Sequence, residues 1–289
     1  MTLRFVQLAA RDPEPLRREP YDRWLTLDGD PTLLFFRDKG GYLLRFLDVA
    51  DFAIDLAGRI VACTPAPGIT DEMVADLYFN QVIPLIMGHD GELVIHASAA
   101  AAEGAAIALV GSTGRGKSTL AGAFAQAGYP FLTDDGLILD LVGEGYVVRP
   151  RRPILRLRAD SETALLALPE AARSAAGEFA KCRIAASAEI PFQIDPVPLS
   201  AIYILREPAG REDVAIAPLS PAAALSELIG HSFMLDVEDR PRVRAHFNRL
   251  AELAVRADCH TLDYPRRYEA LPSVIDAIIS HARSRGTDL

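Results

Sequence analysis

The chain has 289 residues, half of them hydrophobic and 24% charged, with a formal net charge of −9. This is enough apolar material for one large domain or two modest ones. The acidic balance argues against the basic face that nucleic-acid binding requires.

Cys63, Cys182 and Cys259 lie far apart. They form neither a disulfide framework nor a C-x-x-C zinc pattern, and are expected as buried or partly buried free thiols. The opening segment MTLRFVQLAARDPEPLRREP has no long apolar core before its charges, so no signal peptide is expected. No uncharged apolar stretch reaches the roughly 18 residues of a membrane helix. A reduced, cytoplasmic setting follows, with no membrane or nucleic-acid partner. A homo-oligomer stays open.

In chain order, residues 3–64 read as short strands: RFVQLAA, TLLFFRD, YLLRFLD and GRIVACT, separated by Asp, Gly and Pro. The stretch DEMVADLYFNQVIPLIMG then repeats apolar residues at helical spacing. Pro84 is placed to kink or shorten that helix, and Gly88 to end it. ELVIHASA and AAIALVG follow as apolar strands, then a Gly-rich loop that opens a helix, then the strand YPFLTDD. LILDLV and YVVRP form a hairpin around Gly143 and Gly145, and ILRLRA is a strand leading to an Ala-rich helix from Ser161. LSAIYILRE is a strand, and Pro221 and Pro241 each suit the first position of a helix. CHTLDYP is a late strand and LPSVIDAIISHARSR a closing helix. The pattern is α/β: a β-rich N-terminal region with one helix over 1–88, and a second domain over 89–289.

The loop GSTGRGKST comprises Gly111, Ser112, Thr113, Gly114, Arg115, Gly116, Lys117, Ser118 and Thr119. It fits G-x-x-x-x-G-K-[ST] in the required strand–loop–helix context. Its glycines let backbone N–H groups turn inward toward phosphate oxygens, and the helix adds its positive end. Lys117 is then placed to reach the β/γ-phosphates and the Ser118 hydroxyl to ligate Mg²⁺. Other P-loop classes lack their signatures here. The two asparagines, Asn80 and Asn248, make no N-K-x-D base reader. No L-S-G-G-Q-like helix and no Arg-rich lid is present.

TDD places Asp134 and Asp135 seventeen positions beyond Lys117. The strand carrying them is expected to return beside the loop's own strand, with its C-terminal end facing the phosphates. One carboxylate can serve Mg²⁺ and the other can take the proton of an attacking hydroxyl. The alternative is a turn or helix-capping pair, since D-D-G is good turn chemistry. His96, at the end of VIH, is a further candidate. Lys181 and Arg183, read in a loop, are either phosphate or substrate contacts or a solvated pair.

IHASA, GSTGRGKST and TDD, at separations of fifteen residues from His96 to Gly111 and twenty-three from Gly111 to Asp134, resemble the HPr serine kinase/phosphorylase group. The P-loop core of that group is similar to that of phosphoenolpyruvate carboxykinases. The resemblance implies ATP and Mg²⁺ as cofactors, Asp134 at the metal, Asp135 as base toward a serine hydroxyl, and His96 beside that base. Where that family carries E-x-R-G, this chain has RLRA, so Arg156 replaces the acid while Arg158 keeps the arginine. With PVPLSAIYIL included, the chain looks more like the HPr-kinase-like proteins encoded with lasso-peptide genes, some of which phosphorylate a C-terminal serine of the precursor peptide.

The expected function is therefore an ATP- and Mg²⁺-dependent serine kinase acting on a peptide or protein. Asp135, His96 and Lys117 are its catalytic candidates, and Arg156, Arg158, Lys181 and Arg183 are candidates for gripping the substrate. A small-molecule hydroxyl kinase and a nucleotide-dependent binding module without phosphotransfer are the alternatives.

Overall fold

The computed structural model describes residues 3–26, 28–38, 40–166 and 181–286. The chain is a mixed α/β protein that falls into two compact units. One comprises Met1–His89 with Met234–Val243, and the other Asp90–Phe233 with Arg244–Leu289. Among the described residues, no helix is long and apolar enough to cross a membrane.

The first unit is built on a six-stranded sheet. Its strands are β1 (Arg4–Gln7), β2 (Asp22–Leu25), β3 (Pro31–Asp38), β4 (Gly41–Phe46), β5 (Ala50–Asp55) and β6 (Ile60–Pro65), in the order β1-β6-β5-β4-β3-β2. Only the β1–β6 pair is parallel. β2 and β5 had no separate signal in the sequence. Alternate residues of β5 and β6 are buried, as one solvated and one covered face demand. Leu33, Phe35, Leu44, Phe52 and Val61 form the apolar face.

Helix α1 (Asp71–Leu77) begins at Thr70, whose hydroxyl accepts from Met73 N–H. A π-helical turn, Tyr78–Val82, leads into α2 (Ile83–His89). Pro84 thus neither ends nor shortens the helical run. The wide turn, in which Ile83 N–H bonds Tyr78 O, opens the backbone where the Asn80 carbonyl would meet the proline ring. The rings of Tyr78 on Phe5 and of His89 on Tyr42 seat the run on the sheet.

The returning segment Met234–Val243 is held by Asp236, which is 3% exposed. Arg37 donates to both its carboxylate oxygens, at 3.0 and 2.6 Å, and the Tyr42 hydroxyl donates to Oδ2 at 2.9 Å. The backbone N–H groups of Glu238 and Asp239 complete the set.

In the second unit, β7 (Leu93–Ile95), β8 (Ala97–Ala102), β9 (Ala105–Val110), α3 (Lys117–Gln126), β10 (Phe131–Thr133), β11 (Leu137–Val142) and β12 (Gly145–Arg149) come first. The ribbon strand β13 (Ile154–Leu157), α4 (Ala159–Leu166), the second ribbon strand β14 (Cys182–Ala185), β15 (Val197–Leu205) and β16 (Ala215–Pro218) follow. Helix α5 (Pro221–Gly230), α6 (Arg240–Arg256), β17 (Cys259–Asp263) and α7 (Leu271–Gly286) close the chain. The main sheet runs β10-β8-β9-β15-β12-β11-β7, with β17 beside β15 and β16 beside β17. Along β9, Ile107 and Leu109 enter the core made with Leu120 and Phe124 of α3 and Ile278 of α7. Ala106, Ala108 and Val110 enter the opposite core, with Leu228 of α5 and Leu250 and Leu253 of α6. A strand covered on both faces reads as continuous apolar sequence, as AAIALV does.

Two expectations change here. ELVIHASA is two strands, divided at His96, whose N–H leaves the ladder and donates to His231 O at 2.6 Å. Nor does β10 lie next to β9. β8 stands between them, antiparallel to both. The two-residue turn Glu103–Gly104, with both φ positive, is hairpin chemistry that folds β8 onto β9 first. The two reversals leave β10 running in the direction of β9. Cys63, Cys182 and Cys259 are buried free thiols, and burial pushes Cys63 and Cys259 up to about 12.

Burial tends to raise the Asp236 pKa. The Arg37 and Tyr42 bonds and the Glu238 N–H outweigh it, and the carboxyl sits below its ordinary value. A folded-state pKa below the unfolded one stabilises the fold above the unfolded value and is lost as pH falls through the folded value. Asp236→Asn should cost about 1.5–3 kcal/mol at pH 7. The deficit should shrink as unfolding is measured below about pH 4. A deficit independent of pH would assign the loss to packing instead.

Candidate functional site

The Gly-rich loop Gly111–Gly116 joins β9 to α3. Gly116 caps the helix at φ +94, and a Cβ there would stand 2.6 Å from the Tyr264 hydroxyl oxygen, so only glycine fits. Ser112, Thr113 and Gly114 are exposed. The Arg115 side chain is paired with Glu207. Arg266 braces the loop from outside: it donates to Arg115 O at 2.6 Å and to Arg206 O at 2.8 Å, and lies 3.8 Å from the Tyr264 ring centroid.

Lys117 is buried and curls back over the loop, donating to Gly111 O at 2.6 Å and Ser112 O at 3.2 Å. Burial, then Lys181, push its ammonium down to about 8. The hydroxyls of Ser118 and Thr119 have different partners. Thr119 meets Ser161 at 3.1 Å, in a chain that continues to Tyr268 and Asp160. The Ser118 hydroxyl lies near the Asp134 carboxylate and favours its charged form.

Asp134 and Asp135 follow β10 and are both buried. Ser98 of β8 donates to Asp134 Oδ1 and to Asp134 O, each at 2.9 Å, while Arg156 N–H donates to Oδ2 at 2.8 Å. Burial and the charge of Asp135 push Asp134 up. Asp135 is salt-bridged by Arg156 Nη1 at 2.6 Å through Oδ2. Burial pushes Asp135 up as well, but Lys181 and Arg156 outweigh it and hold the carboxyl below its ordinary value. His96 is electrostatically coupled to this group, and burial followed by Lys117 pushes its imidazole down to about 3, leaving it neutral.

The four substrate candidates separate. Arg156, on β13, is bound to Asp135. Arg158 lies over the loop, its Nη2 4.0 Å from a Cβ built on Gly114. The KCR stretch is not a loop from Cys182 onward: Arg183 lies in β14, opposite Arg156. Lys181, just before that strand, donates to Ser118 Oγ at 3.1 Å. Lys117, Ser118, Asp134, Asp135, Arg156, Lys181 and His96 are thus brought together, with Arg158 at the loop and Arg183 on the ribbon.

Two contributors were missed. Ser98 stands two residues beyond His96, and that closeness to a candidate was the available signal. Arg266 had no motif to mark it, because the loop carbonyls it bonds lie 151 and 60 residues away in the chain.

The hydroxyl of Ser118 and the carboxylate of Asp134 are hard oxygen donors close to each other, and they suit Mg²⁺. Among the described residues, no cluster of three or more His, Cys, Asp or Glu has metal-holding geometry. An Mg²⁺ here would therefore take its other ligands from phosphate and water.

No family model matches the chain, and no curated protein matches it. Among solved structures, the Hpr(Ser) kinase/phosphatase from Coxiella burnetii aligns over 67% of this chain and 98% of that one, at 9% identity and a TM-score of 0.33. Likeness at that score carries no argument about this chain's chemistry.

The chain has three lysines, Lys39, Lys117 and Lys181, so ¹³C-lysine NMR can follow each one. One signal should titrate near pH 8 and vanish in Lys117→Arg. The absence of any signal titrating near pH 8 would mean that Lys117 is not desolvated.

Proposed function

We propose that the chain is an ATP- and Mg²⁺-dependent serine kinase whose nucleotide phosphates lie on the Gly111–Thr119 loop. The observation that carries this reading is the convergence of Lys117, Ser118, Asp134 and Asp135 at the N-terminus of α3. A binding turn alone has no need of a second buried carboxylate.

In this reading the loop N–H groups and the positive end of α3 hold the phosphates. Lys117 exchanges its two loop carbonyls for the γ-phosphate and offsets charge developing there. Ser118 and Asp134 would hold an Mg²⁺, which would supply positive charge against that of the phosphates. The seryl hydroxyl donates its proton to the Asp135 carboxylate as its oxygen bonds the γ-phosphorus and the bond to ADP breaks. Neutral His96 orients Asp135 without adding charge.

The acceptor we propose is the C-terminal serine of a precursor peptide of the lasso-peptide type. The cations Arg158 and Arg183 are candidates for its terminal carboxylate. With γ-labelled ATP, the free-acid peptide should be phosphorylated about tenfold to a hundredfold more efficiently than the same peptide amidated, the worth of one charge-assisted contact. Equal rates would remove the carboxylate contact.

Asp135→Asn should slow transfer by roughly 10²–10⁴-fold with ATP binding nearly intact, as expected for loss of a general base. Asp134→Asn should instead raise the Mg²⁺ requirement. If the two phenotypes exchange, the roles are reversed, and full activity in both variants would place the site elsewhere.

The Arg156–Asp135 bridge favours one rival, a nucleotide-binding module without phosphotransfer, because it engages the proposed base. ATP binding without label transfer to peptide, sugar or water would select that rival.

A further inference from the structure

We infer that Lys181 is a built-in counter-cation of the phosphate site, which lets the Gly-rich loop bind a polyphosphate chain without a divalent metal. This rests on the nucleotide reading above and adds a property to it.

The geometry is specific. The Lys181 ammonium donates to Ser118 Oγ at 3.1 Å, near the Asp134 carboxylate. Its charge is felt by Asp134, Asp135, Lys117 and His96 alike. It therefore lies amid the oxygen donors assigned to the metal. Lysine is a compact, strongly hydrated point charge, unlike the planar guanidinium, and so is the side chain closest to a small cation in form. The composition sharpens the point. Against 27 arginines the chain has three lysines, and two of them are at this site.

The placement has a structural cause. β13 and β14 form a separate two-stranded ribbon in which Arg156 pairs with Arg183 and Leu157 with Cys182. Leu155, Leu157 and Ile184 anchor one face of it in the core. Side chains of a strand alternate faces, so Arg156 and Arg183 share the other. The ribbon delivers Arg156 to Asp135, and Lys181, at its entry, to Ser118. When phosphates occupy the loop, a flexible four-carbon stem lets the ammonium turn from Ser118 to a phosphate oxygen.

The experiment measures dissociation constants of ATP and of inorganic tripolyphosphate for the full chain, in excess chelator and in millimolar Mg²⁺. The wild-type protein should bind both probes under both conditions. Lys181→Gln should weaken binding in chelator by about tenfold to a hundredfold, the loss of one charge-assisted contact. In Mg²⁺ the same change should cost less than about threefold, because the metal then supplies the charge. Lys181→Met should behave like the Gln variant, and Lys181→Arg should recover most of the binding in chelator. Unchanged thermal unfolding would show that the variants fold. Equal losses with and without Mg²⁺ would overturn the inference, as would a wild-type protein that binds only in Mg²⁺. Either outcome leaves the nucleotide site standing. Failure of both probes to bind under any condition would remove the nucleotide site and the inference with it.

Discussion

Two carboxylates held side by side out of water repel each other and are poorly solvated, so they persist as a charged pair only where cations are brought to them. Asp134 and Asp135 pose that problem, and much of the second unit can be read as its solution. The hydroxyl of Ser98 and the Arg156 N–H solvate Asp134, while the Arg156 guanidinium and Lys181 compensate Asp135. The small β13–β14 ribbon lies outside the main sheet and adds nothing to its ladder. Both of these cations lie on it or at its entry. The apolar anchoring of the ribbon and the charge balance of the site are therefore one device.

The same arrangement accounts for the different character of the two carboxyls. Asp134 sits among neutral donors beside a like charge and is pushed toward protonation. Asp135 is gripped by a guanidinium and is held ionised. Adjacent residues on one backbone turn are thus driven apart in proton affinity by their surroundings. This is the pattern that lets two carboxyl groups take unlike chemical roles.

The parts of the site that were legible in the sequence are contiguous. GSTGRGKST and TDD each carry their chemistry within nine residues or fewer, and the apolar run AAIALV announced a strand covered on both sides. Pairing partners were harder to see, because hydrogen bonds between strands leave no local signal. The insertion of β8 between β9 and β10 followed from Glu103–Gly104, a two-residue turn with both φ positive, rather than from any apolar pattern. β14 was missed because CRIA is four residues long, the shortest length over which alternation can be read. Pro84 misled for a different reason. The rule that proline breaks a helix concerns the i to i−4 ladder, and the backbone here leaves that ladder one turn earlier.

Asp236 has a consequence for how the protein is made. Arg37 and its carboxylate partner are 199 residues apart in the chain. At a synthesis rate of about 5–20 residues per second, roughly 10–40 seconds pass between the emergence of the arginine and that of the aspartate. For most of that interval, once Pro65 has emerged, the first six strands are complete but lack the segment that ties them down. The nascent sheet must survive on its apolar face alone, and short charged edges such as β2 guard it against pairing with a neighbouring chain. A contact closing so large a loop also weighs against fast folding.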